Sequence, residues 1–462
     1  MQSYLDLLKL TFYLDTPDFT VENGELYFHG VHLKPIIEQY GTPLRLTYRP
    51  KISENIARAR AYFQQAMQRV GYQGNYHYCY CTKSSHFSFV LEEAVKNGVH
   101  LETSSTFDIE IAKRLHQKGL IDTNLMVVCN GFKRKEYSQK IVELIGAGFQ
   151  NCMPVLDNAA ELEAYAQADL PEVKLGIRIA TEEEPNFAFY TSRLGISYKD
   201  VTTLYKEKIA TNPKFKLKLL HFFVNSGIKD TLYFWSELNK FIYKYCELKK
   251  ICPDLQYLDI GGGLPIKNSL GFEYNYQYMI DTIIENIQKA CEKEGVPVPD
   301  ILTEFGSFTV GESGAMIFSV IGQKQQNDRE CWYMLDGSMI THLPDIWGMN
   351  HKFILLPLSN WEKAYQQVHL GGITCDSLDY YDSEVHIAKL MLPETTENEP
   401  FYVGFFNTGA YQESLGGYGG IQHCLVPAAR HVIIDREDDG TIRTTLFRKE
   451  QDEEAVMEIL GY

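Results

Sequence analysis

From about residue 45 to residue 308, short β-rich apolar runs alternate with segments whose apolar residues recur at three-to-four spacing, a pattern that restricts the fold severely. A repeated βα unit implies a parallel sheet, because parallel neighbours need a crossover long enough to hold a helix. The runs lie near Arg45–Tyr48, Tyr76–Cys81, Val99–Thr103, Leu125–Cys129, Met153–Leu156, Val173–Ala180, Lys218–Val224 and Leu255–Ile260, with Ile301–Glu304 as a ninth. Eight close a (β/α)8 barrel, so one of the nine lies outside the ring or opens it. Helices are expected over Ser53–Val70, Phe89–Gly98, Ser105–Lys118 and Asn158–Ala166, with Ser105 and Asn158 where N-caps belong.

After Gly311 the texture changes to strand-like segments: Met316–Val320, Cys331–Leu335, Phe353–Pro357, Phe401–Phe405 and His431–Asp435. The expected fold is therefore α/β plus β, with a barrel over residues 45–308 and a C-terminal β domain over 309–462. Residues 1–44 are expected to join the β domain, with Glu25–Leu33 as one of its strands. At 462 residues the chain has room for both.

A net charge of −16 argues against a broad nucleic-acid surface. The ten cysteines are scattered without a metal-type spacing, so reduced thiols and no metal site are expected. No signal-type segment opens the chain and no run reaches about 18 apolar residues, which leads to the expectation of a cytoplasmic protein without a membrane partner.

Several residues stand where barrel chemistry is done. Lys83 follows the alternating run Tyr76 to Thr82, placing a lysine just past the C-terminal end of a strand, where barrel active sites sit. Taken alone, such a lysine is an ordinary solvated loop residue. Gly261, Gly262 and Gly263 follow the run Leu255–Ile260, and such glycines let backbone N–H groups approach an oxyanion closely; a plain tight turn is the bland reading. Glu304 ends the next run, a place suited to pairing with a protonated ring nitrogen. Further on, Thr374-Cys375-Asp376-Ser377-Leu378-Asp379 puts a thiol beside two carboxylates, and Gly409-Ala410-Tyr411-Gln412-Glu413 offers a phenol.

These elements, in this order, resemble the fold-type III decarboxylases dependent on pyridoxal phosphate (PLP), which act on ornithine, diaminopimelate and arginine. The resemblance runs from Tyr40-Gly41-Thr42-Pro43-Leu44 to about Asp435. Two strings, Cys129-Asn130-Gly131-Phe132-Lys133 with Glu136-Tyr137 and Leu343-Pro344-Asp345-Ile346-Trp347, are similar to segments of the bacterial biosynthetic arginine decarboxylases. The resemblance implies an alanine-racemase-like barrel and PLP as cofactor. Lys83 would carry it as a Schiff base, Glu304 would pair with the pyridine nitrogen, and Gly261 to Gly263, Ser226 and Tyr411 would surround the phosphate. Cys375 would be the proton donor, and Asp376 and Asp345 would face the substrate. A homodimer with shared sites is implied as well.

Two departures from the family pattern matter chemically. Its usual ring-stacking His is replaced by Phe223, and its Glu-Pro-Gly-Arg reads here as Glu304-Phe305-Gly306-Ser307, which removes a guanidinium from the phosphate site. The expected reaction is decarboxylation of arginine to agmatine and CO2, feeding polyamine synthesis. A guanidinium presents a planar fork that acids bind bidentately, and Asp376, Asp379 and Asp345 are the candidates. The competing readings are decarboxylation of ornithine, lysine or diaminopimelate, an amino-acid racemase, and an inactive homologue that acts as a binding regulator.

Overall fold

The computed structural model describes residues 2–12, 14, 16–182, 191–381, 390–396 and 399–462. The chain divides into two compact units: Ser53–Pro265 with Tyr274–Thr309, and Met1–Ile52 with Ile266–Glu273 and Val310–Tyr462.

The first unit is a closed barrel of eight parallel strands in sequential order. They are β1 (Tyr76–Cys81), β2 (His100–Thr103), β3 (Val127–Cys129), β4 (Cys152–Leu156), β5 (Val173–Arg178), β6 (Phe215–His221), β7 (Tyr257–Asp259) and β8 (Asp300–Glu304). Closure comes from β8 against β1, with Glu304 opposite Cys79. Most strand positions are buried, as expected of strands covered on both faces. Cys79, Met126, Val128, Met153, Val155, Leu219 and Leu302 form one packed cluster.

The expected N-caps are present. Ser105 Oγ accepts from Asp108 N at 3.3 Å, starting the helix Thr106–Gln117, and Asn158 Oδ1 accepts from Ala160 N at 3.0 Å. Two strands end earlier than their apolar runs. Lys218–Val224 stops at His221 and Leu255–Ile260 at Asp259, so that these two polar side chains occupy the last strand positions.

The second unit settles the surplus strand. Leu44–Tyr48 is buried at all five positions and pairs antiparallel with Gly314–Asn327 and parallel with Arg430–Arg436. The barrel expected from residue 45 therefore begins later, with Ser53 the first residue of its unit. A buried apolar strand with partners on both edges suits either sheet, and local pattern does not separate the two. The fourteen-residue strand Gly314–Asn327 organises the sheet: its first half pairs with both Leu44–Tyr48 and Tyr402–Phe406, its second with Glu330–Leu335.

The segment Glu25–Leu33 departs from expectation. Its strands Glu25–Phe28 and Val31–His32 make a small antiparallel sheet with Phe19–Glu22, outside the large one. Leu26, Phe28 and Val31 nevertheless pack into the unit's core with Leu44, Leu46 and Trp361.

Candidate active site

The C-terminal ends of the barrel strands converge on one buried polar network. Lys83 sits in the turn Thr82–Ser84 directly after β1, held by Thr82 Oγ1 donating to Glu102 O (3.1 Å) and Ser84 Oγ donating to Cys81 O (2.7 Å). Its ammonium pairs with the carboxylate of Glu102, a fully buried residue near the end of β2. Asn130, one residue beyond β3, donates to Glu102 Oε1 (3.1 Å) and to Glu304 Oε1 (2.6 Å) and so ties the two carboxylates together. His221 closes the chain of contacts, with Nε2 3.1 Å from Glu304 Oε2.

This network sets charge. Burial by itself would push the Glu304 carboxyl up, but the His221 contact and the Lys83 charge hold it below the usual range. Neighbouring Asp259 goes the other way, pushed up by burial and then by the charge on Glu304. Within the pair the charge is thus favoured on Glu304 and the proton on Asp259. His221, Asp259 and Glu304 are close enough to ligate an ion, yet their mutual hydrogen bonding and charge sharing already account for their proximity.

A glycine cradle flanks the network. Gly261 and Gly263 have φ of +69° and +92°, and Gly227 across from them has +79°. A Cβ on Gly261 would lie 2.6 Å from Phe222 O, one on Gly262 2.4 Å from Glu304 O, and one on Gly263 2.8 Å from Gly227 Cα. Only glycine permits both these approaches and these backbone angles. Ser226 is exposed on the loop that carries Gly227, and Phe223, half-buried, lies under the Arg178 guanidinium with 5.8 Å from its carbon to the ring centre. Burial pushes Arg178 below its usual range against the pull of Glu304, Asp157 and Glu102.

The residues fit the cofactor that the resemblance implies. A lysine, an ionised carboxylate, an aromatic ring and a backbone cradle for a phosphate all belong to one barrel mouth. His221 Nδ1 and Asn130 Oδ1 there are buried without a hydrogen-bond partner. Of the expected barrel residues Lys83, Phe223, Ser226, Gly261, Gly262, Gly263 and Glu304, all lie at or just past strand ends. Glu102, Asn130, Arg178 and the His221 to Glu304 contact escaped the sequence reading. Glu102 carries the same signal as Glu304, a carboxylate near the end of an apolar run, and Asn130 belongs to the string Cys129-Asn130-Gly131-Phe132-Lys133.

The remaining candidates belong to the second unit. Cys375 is exposed and Asp376 half-buried; Asp376 Oδ1 accepts from Leu378 N at 2.8 Å. Asp345 is 7% exposed, with Oδ2 accepting from Gln412 Nε2 at 2.7 Å, while Oδ1 is buried without a partner. This bond connects the Asp345 helical turn with the segment of Tyr411, whose φ of +69° is left-handed. Asp379 requires a correction. It was expected among the substrate-facing acids, but its Oδ1 accepts from Ser338 Oγ (3.0 Å) and Met339 N (2.7 Å), and its Oδ2 from Thr374 N (3.1 Å) and Thr374 Oγ1 (2.7 Å). A carboxylate so filled braces the Cys375 turn and has little capacity left for a substrate cation.

Comparison with known proteins agrees with this chemistry. Residues 53–311, more than half of the chain, match the family model described as pyridoxal-dependent decarboxylase, pyridoxal binding domain. The biosynthetic arginine decarboxylase of Prochlorococcus marinus (strain AS9601) is 22% identical, over 91% of this chain and 82% of its own length. That of Shewanella woodyi is 23% identical, over 82% and 77%. Among solved structures, the biosynthetic arginine decarboxylase of Campylobacter jejuni superposes with a TM-score of 0.82 at 20% identity, covering 100% of this chain and 91% of that one. The diaminopimelate decarboxylase of M. jannaschii, solved with L-lysine, gives 0.78 at 17% identity, covering 96% and 97%. With the family match spanning the strands that carry Lys83, Glu102, His221 and Glu304, the chain belongs to the pyridoxal-dependent decarboxylases, and pyridoxal phosphate is its cofactor.

Proposed function

We propose that the protein decarboxylates L-arginine to agmatine and CO2, as a cytoplasmic step toward polyamines, and that it acts as a homodimer with shared sites. The observation that carries the substrate choice is Asp345: a buried carboxyl with one oxygen unpartnered has acceptor capacity left, and a guanidinium fork offers donors to fill it. The relatives named biosynthetic arginine decarboxylases point the same way.

When bound, pyridoxal phosphate supplies the electron sink that allows an α-carboxylate to leave as CO2. The chain's own residues do the rest. Lys83, oriented by Glu102, would hold the cofactor, and Glu304, hydrogen-bonded to His221, would favour a proton on its ring nitrogen, with Phe223 as an aromatic neighbour. Gly261 to Gly263, with Ser226 and Tyr411, would supply donors to its phosphate; with Ser307 in place of a guanidinium, the backbone would carry more of that charge. Asp345 and Asp376 hold the distal cation of the substrate, and the Cys375 thiol returns a proton to the α-carbon.

The test is a panel of L-arginine, L-ornithine, L-lysine and meso-diaminopimelate incubated with the PLP-loaded enzyme, with identification of the amine product. Agmatine formed with the highest kcat/KM supports the proposal. Cadaverine or putrescine as the preferred product refutes the arginine assignment and leaves the decarboxylase standing. Mixing inactive Lys83→Ala with inactive Cys375→Ala tests shared sites: activity regained in mixed dimers is expected, and mixed dimers that stay inactive refute sharing.

A further inference from the structure

In the second unit, Cys375 Sγ and Cys424 Sγ lie 3.3 Å apart although 49 positions separate them in the chain, and both residues are exposed. His423 brings a ring nitrogen within 4.8 Å of both sulfurs. The approach is held from both sides. The turn of Cys375 is braced by Asp379 through Thr374 N and Oγ1. On the other side, Cys424 and Leu425 have φ of +54° and +53°, a left-handed conformation that non-glycine residues rarely adopt in succession.

A soft metal ion and a disulfide are the two uses of such a pair, and ligand number separates them. A structural zinc site takes four protein ligands, whereas among the described residues Cys375, Cys424 and His423 bring three together. A disulfide, with a bond of about 2.05 Å, requires only that two exposed side chains move together. Two other cysteine pairs, Cys129 with Cys152 at 3.7 Å and Cys246 with Cys291 at 3.9 Å, are buried away from any oxidant.

We propose that Cys375 and Cys424 form a reversible disulfide by exchange with a small-molecule disulfide, and that this bond withdraws the Cys375 thiol from the reaction. The inhibitory half rests on the reading of Cys375 as proton donor. One cysteine thiolate attacks the S–S bond of the oxidant R–S–S–R, forming a mixed disulfide and releasing R–S⁻. The other thiolate attacks the cysteine sulfur of that mixed disulfide, forming the bond between Cys375 and Cys424 and releasing a second R–S⁻. The two cysteines give up two electrons and two protons, and R–S–S–R leaves as two R–SH.

The test equilibrates full-length, PLP-loaded enzyme in glutathione buffers of rising oxidised fraction, then quenches, alkylates and maps peptides without reduction. A linked peptide carrying Cys375 and Cys424 is expected, with decarboxylation falling at least about tenfold in step, since general acids contribute 10² to 10⁴ in rate, and recovering with dithiothreitol. Cys424→Ser should keep basal activity and form no linked peptide. If no link forms while Cys375→Ser is inactive, the disulfide is refuted and the proton-donor reading survives. If the link forms with activity unchanged, both the switch and the role of Cys375 fall. Zinc retained in stoichiometric amount after dialysis of wild type, and lost in Cys424→Ser, would overturn the proposal in favour of a metal site.

Discussion

Replacing His221 tests whether the charge on Glu304 is set within the barrel. His221 Nε2 lies 3.1 Å from Glu304 Oε2, and both side chains are nearly inaccessible, at 1% and 6% exposure. A hydrogen bond to a charged group contributes about 1.5 to 3 kcal/mol, the equivalent of roughly one to two pKa units. In His221→Leu, Glu304 keeps the Asn130 donor at 2.6 Å but loses the His221 contact, and burial then drives its pKa upward. The sign follows from the depressed carboxyl. Its contribution to stability is present above the unfolded pKa, about 4.3, and is lost as pH falls through the folded value. The variant should therefore lose stability at neutral pH, and the acid limb of its kcat profile should move to higher pH. We expect kcat to fall roughly 10- to 100-fold and PLP to bind more weakly, with partial rescue in His221→Gln, which restores a donor. The measurements are PLP titration by absorbance, kcat against pH, and thermal unfolding. A His221→Leu enzyme that folds, binds PLP as tightly as wild type and keeps its acid limb would refute the reasoning.

Further outcomes can be checked in the same preparations. Lys83→Ala should lose the visible absorbance of the bound cofactor, and borohydride should fix the cofactor label at Lys83 in wild type; a label on another lysine would contradict the assignment. Gly262→Ala places a Cβ 2.4 Å from Glu304 O, so the loop must shift, and we expect a lower Tm together with weaker PLP binding. Asp345→Asn and Asp376→Asn each remove a proposed partner of the guanidinium. Truncating a desolvated charge pair costs roughly 2 to 5 kcal/mol, which corresponds to a fall in kcat/KM for arginine of about 10- to 1,000-fold, smaller where the two acids share the load. PLP occupancy should be unchanged, and a wild-type kcat/KM in both variants would contradict the model.

The fold was legible in the chain because its signal is local. Alternation of β-rich runs with helical periodicity marks a βα repeat regardless of what packs where, and the caps at Ser105 and Asn158 depend only on their own first turns. Lys83, Glu304 and the glycine triplet were legible for a related reason: each sits at the end of a run, and a barrel brings all such ends to one face. The network among them was not. Asn130 meets Glu304 across 174 positions and His221 meets it across 83, distances in sequence over which no periodicity carries information.

Two further features depended on long-range pairing. Leu44–Tyr48 reads as one more barrel strand, and its membership in the other sheet follows from hydrogen bonding to Gly314–Asn327 and Arg430–Arg436, partners more than 260 residues away. Asp379 reads as an acid beside a reactive thiol, and it braces the fold because backbone donors at Met339 and Thr374 happen to converge on it. Residue types and their spacing thus specified the architecture and put chemically able side chains at strand ends, and the resemblance those strings carry pointed to the cofactor. Which carboxylate is ionised, which is protonated and which is occupied by the backbone was decided by three-dimensional packing, since burial and a charged or donating neighbour at about 3 Å are what shift a pKa or fill a lone pair.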